Sequence, residues 1–217
     1  MNQPLDPGAI ARQPTQQRSK ARFDRVLEAA ETLLLDVGLS GFSIPVLAER
    51  LGYTRGSVYA FFPTHYAILN ELVVRYLVEL ETVFYSRADE LVLMPWRDAV
   101  GAVVNLAADF HNSHPAARLL ILGGAATDDS YRAQEMTIKR LGDLARAVWA
   151  RNGVKLPKGP PDITTLATEI ATAVMRRSFF EHGEITRPYR EAAVRAMLAF
   201  LAEYLERPAS RNKGRAK

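Results

Sequence analysis

No cysteine occurs among the 217 residues, so disulfides and thiolate metal sites are excluded, and a reducing compartment suits the chain. No apolar run is long enough to span a bilayer. The first residues lack the apolar core of a secretory signal, so a soluble, cytoplasmic protein without a membrane partner is expected. Nothing alternates for long with the two-residue period of strands, and the expected fold class is all-α. A phosphate-binding glycine loop, a nucleophile elbow and zinc-protease spacing are all missing, and the four histidines are scattered. No cofactor and no enzymatic activity are expected. A large charge excess is missing too. The chain has 28 basic and 24 acidic residues, and Arg207, Arg211, Lys213, Arg215 and Lys217 put five of the basic ones in the last eleven positions. The rest is close to neutral, so a claim of nucleic-acid binding has to rest on a motif.

The motif is present at Ser43 to Phe62, SIPVLAERLGYTRGSVYAFF. Leu47, Leu51, Tyr53, Val58 and Phe61 are spaced so that two short amphipathic helices face one small core, with Ala48 small where they would cross. Gly52 stands where a helix ends in the left-handed conformation that glycine adopts without strain. Thr54 is placed to accept a backbone N–H as the cap of the second helix, with Arg55, Gly56, Ser57 and Tyr59 in its first turns. This is a helix-turn-helix pattern, whose second helix offers its N-terminal end to the major groove.

With the preceding helix, the stretch from Arg25 to Leu69 resembles the N-terminal domain of tetracycline-repressor-type (TetR-family) transcriptional regulators. The resemblance rests on Ala29-Ala30, Gly38, Ser43, Ala48, Gly52, Gly56, Tyr59, Phe62-Pro63 and Leu69. It implies DNA contacts from Ser43, Thr54, Arg55, Gly56, Ser57, Tyr59 and His65. Two positions depart from the family pattern. His65 stands where a phosphate-touching lysine is usual, and Pro45 stands where a polar or basic residue is common. A proline is tolerated there because a first-turn N–H has no helical partner.

Four segments are expected. Residues 1–17, rich in Pro, Gln and Gly, form a disordered arm; residues 18–64 form the DNA-binding domain; residues 65–206 form a helical domain; and residues 207–217 form a basic disordered tail. Arg12, Arg18, Lys20, Arg22 and Arg25 lie just before or within the start of the first helix, about Ser19 to Val37. They are either a solvated basic face or an arm to DNA phosphates. Phe23, Val26, Leu27, Ala30, Leu33, Leu34 and Val37 make that helix's stripe, and Gly38 ends it. Further helices are expected at about 64–88, 95–112, 131–151, 163–182 and 188–205, with a loop at Asn152–Pro161. His111 and His114, three apart, are considered as metal ligands, but Pro115 follows and no third ligand is evident, so no metal site is expected.

The resemblance implies that the larger domain binds a small-molecule effector and forms a homodimer. The last two helices are the expected dimer pair, with Ala167, Ala171, Ala193 and Ala196 allowing close approach and Phe179, Phe180 and Phe200 as anchors. Candidate effector-lining residues are Trp96, Phe110, His111, Arg118, Met136, Trp149, Met175, Arg176 and Phe179, a mostly apolar set with a few polar groups. The partners implied are double-stranded DNA carrying a palindromic operator, an unidentified effector and a second copy. A helical enzyme or a protein-interaction module without DNA binding remains the alternative.

Overall fold

The computed structural model describes residues 7–206 except 152, 155 and 158. Among them there are only helices and irregular connections. The basic tail expected at 207–217 and the first six residues of the arm lie outside the described residues. The chain divides into two compact units, one made of residues up to 80 together with 111–136, the other of 81–110 and 137 onward.

In the first unit, α1 (Gln17–Gly41) buries Phe23, Val26, Leu27, Ala30, Leu33 and Leu34, one stripe at three- and four-residue spacing. Val37 continues that phase but is 40 % exposed. Gly38 breaks the helix at φ 68°, where the sequence places the stop, and one more turn follows it. α2 (Ile44–Leu51) starts with Pro45 in its first turn and buries Ile44, Leu47 and Ala48. It ends at Gly52 with φ 64°, whose N–H donates to the carbonyls of Ala48 and Glu49. α3 (Arg55–Tyr59) follows, with Val58 buried.

The floor beneath these helices is aromatic. Phe62, fully buried, stacks on Phe23 with ring centroids 4.7 Å apart, and Phe61 meets Phe23 edge-on at 5.8 Å. Truncating Phe62 to alanine would remove a ring with no solvent to replace it, at a cost of about 3–5 kcal/mol. α4 (His65–Ser86) leads away from this floor and buries Ile68, Leu69, Leu72, Val73, Tyr76 and Leu77 within the first unit. α7 (Pro115–Leu122) lies against α1 and buries Ala116, Ala117, Leu120, Ile121 and Leu122.

Residues 7–17, expected to be without structure, are not. They hold a 3-10 turn at Pro7–Ala9 and are hydrogen-bonded to the α3–α4 connection and to α4. The composition is that of a loop, and backbone atoms make most of the bonds.

The second unit contains α5 (Ala88–Leu93), a short helix not foreseen from the sequence, and most of α6 (Trp96–Ser113) and α8 (Asp128–Arg151). It also contains α9 (Ile163–His182) and α10 (Arg187–Leu205). α8 starts three residues earlier than its periodicity predicts. Thr127 and Ser130 bond reciprocally there, the Ser130 amide donating to Thr127 Oγ1 at 3.1 Å and the Thr127 amide to Ser130 Oγ at 3.0 Å. α9 and α10 pack as a hairpin. Its turn is set by Gly183 at φ 73° and by the buried Ser178, whose hydroxyl donates to the Glu184 carbonyl and accepts from the Thr186 amide. Ala167, Ala171 and Ala193, expected on a dimer face, are instead buried within this single chain, while Ala196 is half-buried. Small residues at that spacing serve the nearest helix first. At the start of α9, Asp162 accepts from the Thr165 amide and pairs with Arg146 at 2.8 Å.

Candidate nucleic-acid interface

The geometry of α3 follows from three residues. Gly52 turns the chain back in a conformation that a side chain would strain. Thr54 is extended, so its hydroxyl oxygen can accept the Ser57 amide at 3.3 Å. Val58 anchors the opposite side in the core. Together they leave the N-terminal end of α3 facing solvent. Arg55, Gly56 and Thr54 are exposed there, and Tyr59 is 43 % exposed one turn on. A Cβ built on Gly56 would meet nothing within 4 Å. Ser57 is half-buried and donates its hydroxyl to the Thr54 carbonyl at 2.7 Å, which holds the first turn together. Ser43 precedes α2 in an extended conformation, half-buried, without capping that helix through its side chain.

The basic residues fall into two sets. Arg50 and Arg75 are neutralised locally, Arg50 by Asp36 at 2.7 Å and Arg75 by Asp24 at 2.7 Å. Arg18, Lys20 and Arg55 are exposed and have no ion-pair partner among the described residues. Arg22 is exposed as well, but its guanidinium lies 4.9 Å from the centre of the Tyr53 ring, so α1 presents this cation beside the turn before α3. The Arg22–Tyr53 pairing was not legible in advance, since residues thirty-one apart share no local pattern. His65 is half-buried, and its ring lies tilted against Tyr66 at 4.0 Å, a residue exposed at the start of α4. Val46 on α2 is exposed too.

The nine candidate effector residues do not share one environment. In the second unit Phe110, Trp149 and Met175 are buried, Trp96 and Phe179 are half-buried, and Arg176 is exposed beside the buried Met175. The side chain of Trp96 stacks under Arg97, 4.6 Å from its ring centre. In the first unit Met136 is 57 % exposed, because the neighbouring face of α8 buries Gln134 instead. Arg176 and Met136 are therefore surface residues of the chain.

Arg118 is occupied at the end of α6, donating to the His111 carbonyl at 3.4 Å and to Asn112 Oδ1 at 3.2 Å. A cation at the carbonyl end of a helix is favourably placed against its dipole. His111 is buried, and burial, reinforced by the Arg118 and His114 charges, holds its pKa down to about 4. His114 Nε2 lies 3.2 Å from Glu79, and its ring meets Tyr76 edge-on at 6.3 Å. Among the described residues no cluster of three metal-ligating side chains occurs. The first unit also carries an open depression of about 740 Å³, lined by Ile10, Asn70, Glu71, Val74, Arg132 and Met136 among others.

No described helix is long and apolar enough to cross a membrane. A family model described as bacterial regulatory proteins, tetR family, matches residues 26–72, and one described as tetracyclin repressor-like, C-terminal domain, matches residues 95–201. No curated protein matches the chain in sequence. Among solved structures, a TetR-family transcriptional regulator from Streptomyces coelicolor is similar at 23 % identity and a TM-score of 0.64, over 86 % of this chain and 98 % of that one. A TetR-family regulator from Pectobacterium atrosepticum is similar at 18 % identity and a TM-score of 0.60, over 90 % of this chain and all of that one. SmeT in complex with triclosan is similar at 17 % identity and a TM-score of 0.55, over 91 % of this chain and all of that one.

Proposed function

The chain belongs to the tetR family of bacterial regulatory proteins, and from that premise we propose that it is a homodimeric, ligand-responsive repressor of transcription. The observation that carries the proposal is the exposed N-terminal end of α3, capped by Thr54, open at Gly56 and mounted on the Phe23–Phe62 floor. A groove-reading helix needs an exposed face at its N-terminal end, and here Thr54, Arg55, Gly56 and Tyr59 are exposed while Val58 holds the opposite side in the core. Arg55 is the reader of a guanine edge, since its fork matches two acceptors. Thr54, Ser57 and Ser43 offer hydroxyls, and Gly56 allows close backbone approach. Tyr59 and His65 reach phosphates. Arg18, Lys20 and Arg22 contribute charge along the DNA backbone, which positions the protein without reading sequence.

A second copy is supported by the outward side of the α9–α10 hairpin. Phe180 is 79 % exposed there, and Leu166, Ala173 and Ala199 are exposed on the same two helices. Two such hairpins make a four-helix bundle about a two-fold axis, and the two copies of α3 then read half-sites about 34–36 Å apart in an inverted repeat. An effector that prefers a dimer with a different spacing releases DNA, by as much as its affinity differs between the two states. SmeT's complex with triclosan supports a small, apolar effector. The buried residues Phe110, Trp149 and Met175 supply the wall chemistry such a ligand needs.

The test is selection of bound duplexes from a random pool, followed by titration of the winning site. An inverted repeat is expected, with affinity falling steeply as salt rises. Arg55→Ala should cost about 1–3 kcal/mol on that site and relax preference at one base pair. A pool that yields no preferred sequence would overturn the reading. For the switch, a ligand found by thermal shift should bind more weakly when the operator duplex saturates the protein, by the factor with which it weakens DNA binding.

A further inference from the structure

We infer that residues 8–13 form an intramolecular strap that positions the recognition helix, with Asn70 as its fastening point. The strap crosses the short connection between α3 and α4 and holds both of its ends. The Arg12 amide donates to the carbonyl of Phe61 at 2.7 Å, and the Thr64 hydroxyl donates to the carbonyl of Gly8. Further along α4, Asn70 Nδ2 donates to the Ala9 carbonyl at 3.0 Å, and Gln13 Nε2 donates to Glu71 Oε2 at 3.0 Å. Ala9 is buried by these contacts. Phe61 and Thr64 flank Phe62, the ring that seats α3 on the floor, so the strap restrains the backbone on either side of that seat.

Asn70 does more than hold the strap. It is only 7 % exposed, and its carbonyl oxygen accepts the hydroxyl of Thr127 at 2.8 Å. Thr127 is the residue that caps α8 through its exchange with Ser130. One buried amide therefore joins the strap, the start of α4 and the start of α8. A buried amide that loses either partner leaves an uncompensated polar group behind, so the three segments hold their places together. Any displacement of Thr127 at the head of α8 is felt at Asn70, and through Ala9 at the backbone beside α3. In this role Arg12 acts through its backbone N–H, and its charge is not required.

The test separates that backbone role from contact of the Arg12 side chain with DNA. Arg12→Gln removes the charge and keeps the N–H. Arg12→Pro removes the N–H, because proline has none. Asn70→Asp keeps an acceptor for Thr127 and loses the donor to Ala9. In the full-length protein without DNA, amide hydrogen exchange across residues 58–67 should be roughly three- to tenfold faster in Arg12→Pro and in Asn70→Asp, the worth of one hydrogen bond, and unchanged in Arg12→Gln. Resting on the DNA-binding reading, affinity for the selected duplex should fall by a similar factor in the first two variants. The salt dependence should be unaltered, since no phosphate contact is lost. Unchanged exchange in both Arg12→Pro and Asn70→Asp would overturn the strap. So would weaker binding with a shallower salt slope in Arg12→Gln, which would mark the side chain as a phosphate contact. If Arg12→Pro does not melt cooperatively, Asn70→Asp and Thr64→Val carry the test. If the wild type selects no duplex, the functional reading fails while exchange still decides the strap.

Discussion

Gly56→Ala should make this protein more stable and a worse DNA binder. Gly56 sits in the first turn of the five-residue helix α3, and a Cβ there meets no atom within 4 Å. Within the protein alone, alanine therefore gains helix propensity at no steric cost, worth up to about 1 kcal/mol in a helix interior and less in a first turn. Against DNA the sign reverses. If the start of α3 enters the major groove, the backbone at Gly56 is packed against the duplex, and a methyl group there forces the surfaces apart. Overpacking of a close contact costs about 1–3 kcal/mol, roughly a five- to 150-fold rise in Kd. Urea denaturation of the full-length chain measures the first effect. Anisotropy titration of a labelled, selected duplex at two salt concentrations measures the second, and the salt slope should be unaltered because no charge is removed. Opposite signs are what separate a contact with DNA from a folding defect. Lower stability would show that the space beside Gly56 is not open. Undiminished affinity would remove the start of α3 from the DNA surface.

Three further outcomes are expected. Gly142→Ala should destabilise by about 1–2 kcal/mol in urea denaturation, because its Cβ would lie 2.9 Å from both the amide nitrogen and the hydroxyl of Thr165. Gly101→Ala, in α6 with nothing within 4 Å, should instead gain up to about 1 kcal/mol, and equal signs for the two would refute the packing argument. Gly52→Val should lose about 1–2 kcal/mol of stability from the left-handed backbone and more in DNA affinity, while sedimentation still reports the wild-type oligomer. Stability should also fall with pH as the buried His111 is held neutral: its folded pKa of about 4 lies below its ordinary value, so the contribution is complete above about pH 6.5 and is lost on acidification toward pH 4. The loss is at most about 3 kcal/mol, and His111→Gln should flatten that part of the stability profile, an unchanged profile sinking the assignment.

Gly52 and Thr54 could be placed from the sequence because each acts on its own neighbours. A left-handed turn needs glycine where it falls, and a cap needs a hydroxyl three residues before the N–H it accepts. The stripe of α1 was legible for the same reason up to Leu34, and failed at Val37, which keeps the phase but is exposed just before the break at Gly38. α8 buries a polar face. Its apolar Tyr131 and Met136 face solvent, while Ser130, Gln134 and Thr137 are buried at four- and three-residue spacing. Those three are satisfied by Thr127, by the Leu120 carbonyl and by Glu81, partners that lie outside α8 itself. Met136 enters the effector set as a residue suited to an apolar pocket, whereas a buried face made of Ser130, Gln134 and Thr137 carries no apolar pattern to be found by.

The strap escapes sequence reading for a different reason. Gly8, Ala9 and Arg12 engage through carbonyls and an amide that any residue carries, with proline unable to supply the amide. Its visible mark is on the receiving side, where Asn70 is a polar residue buried among Ile68, Leu69, Leu72 and Val73 on α4. A buried amide in an apolar run must be bonded by something, and in α4 the partners are the backbone of the strap and the cap of α8. A polar residue that interrupts an apolar stripe is thus a pointer to a backbone segment docked against it, even when that segment has the composition of a loop.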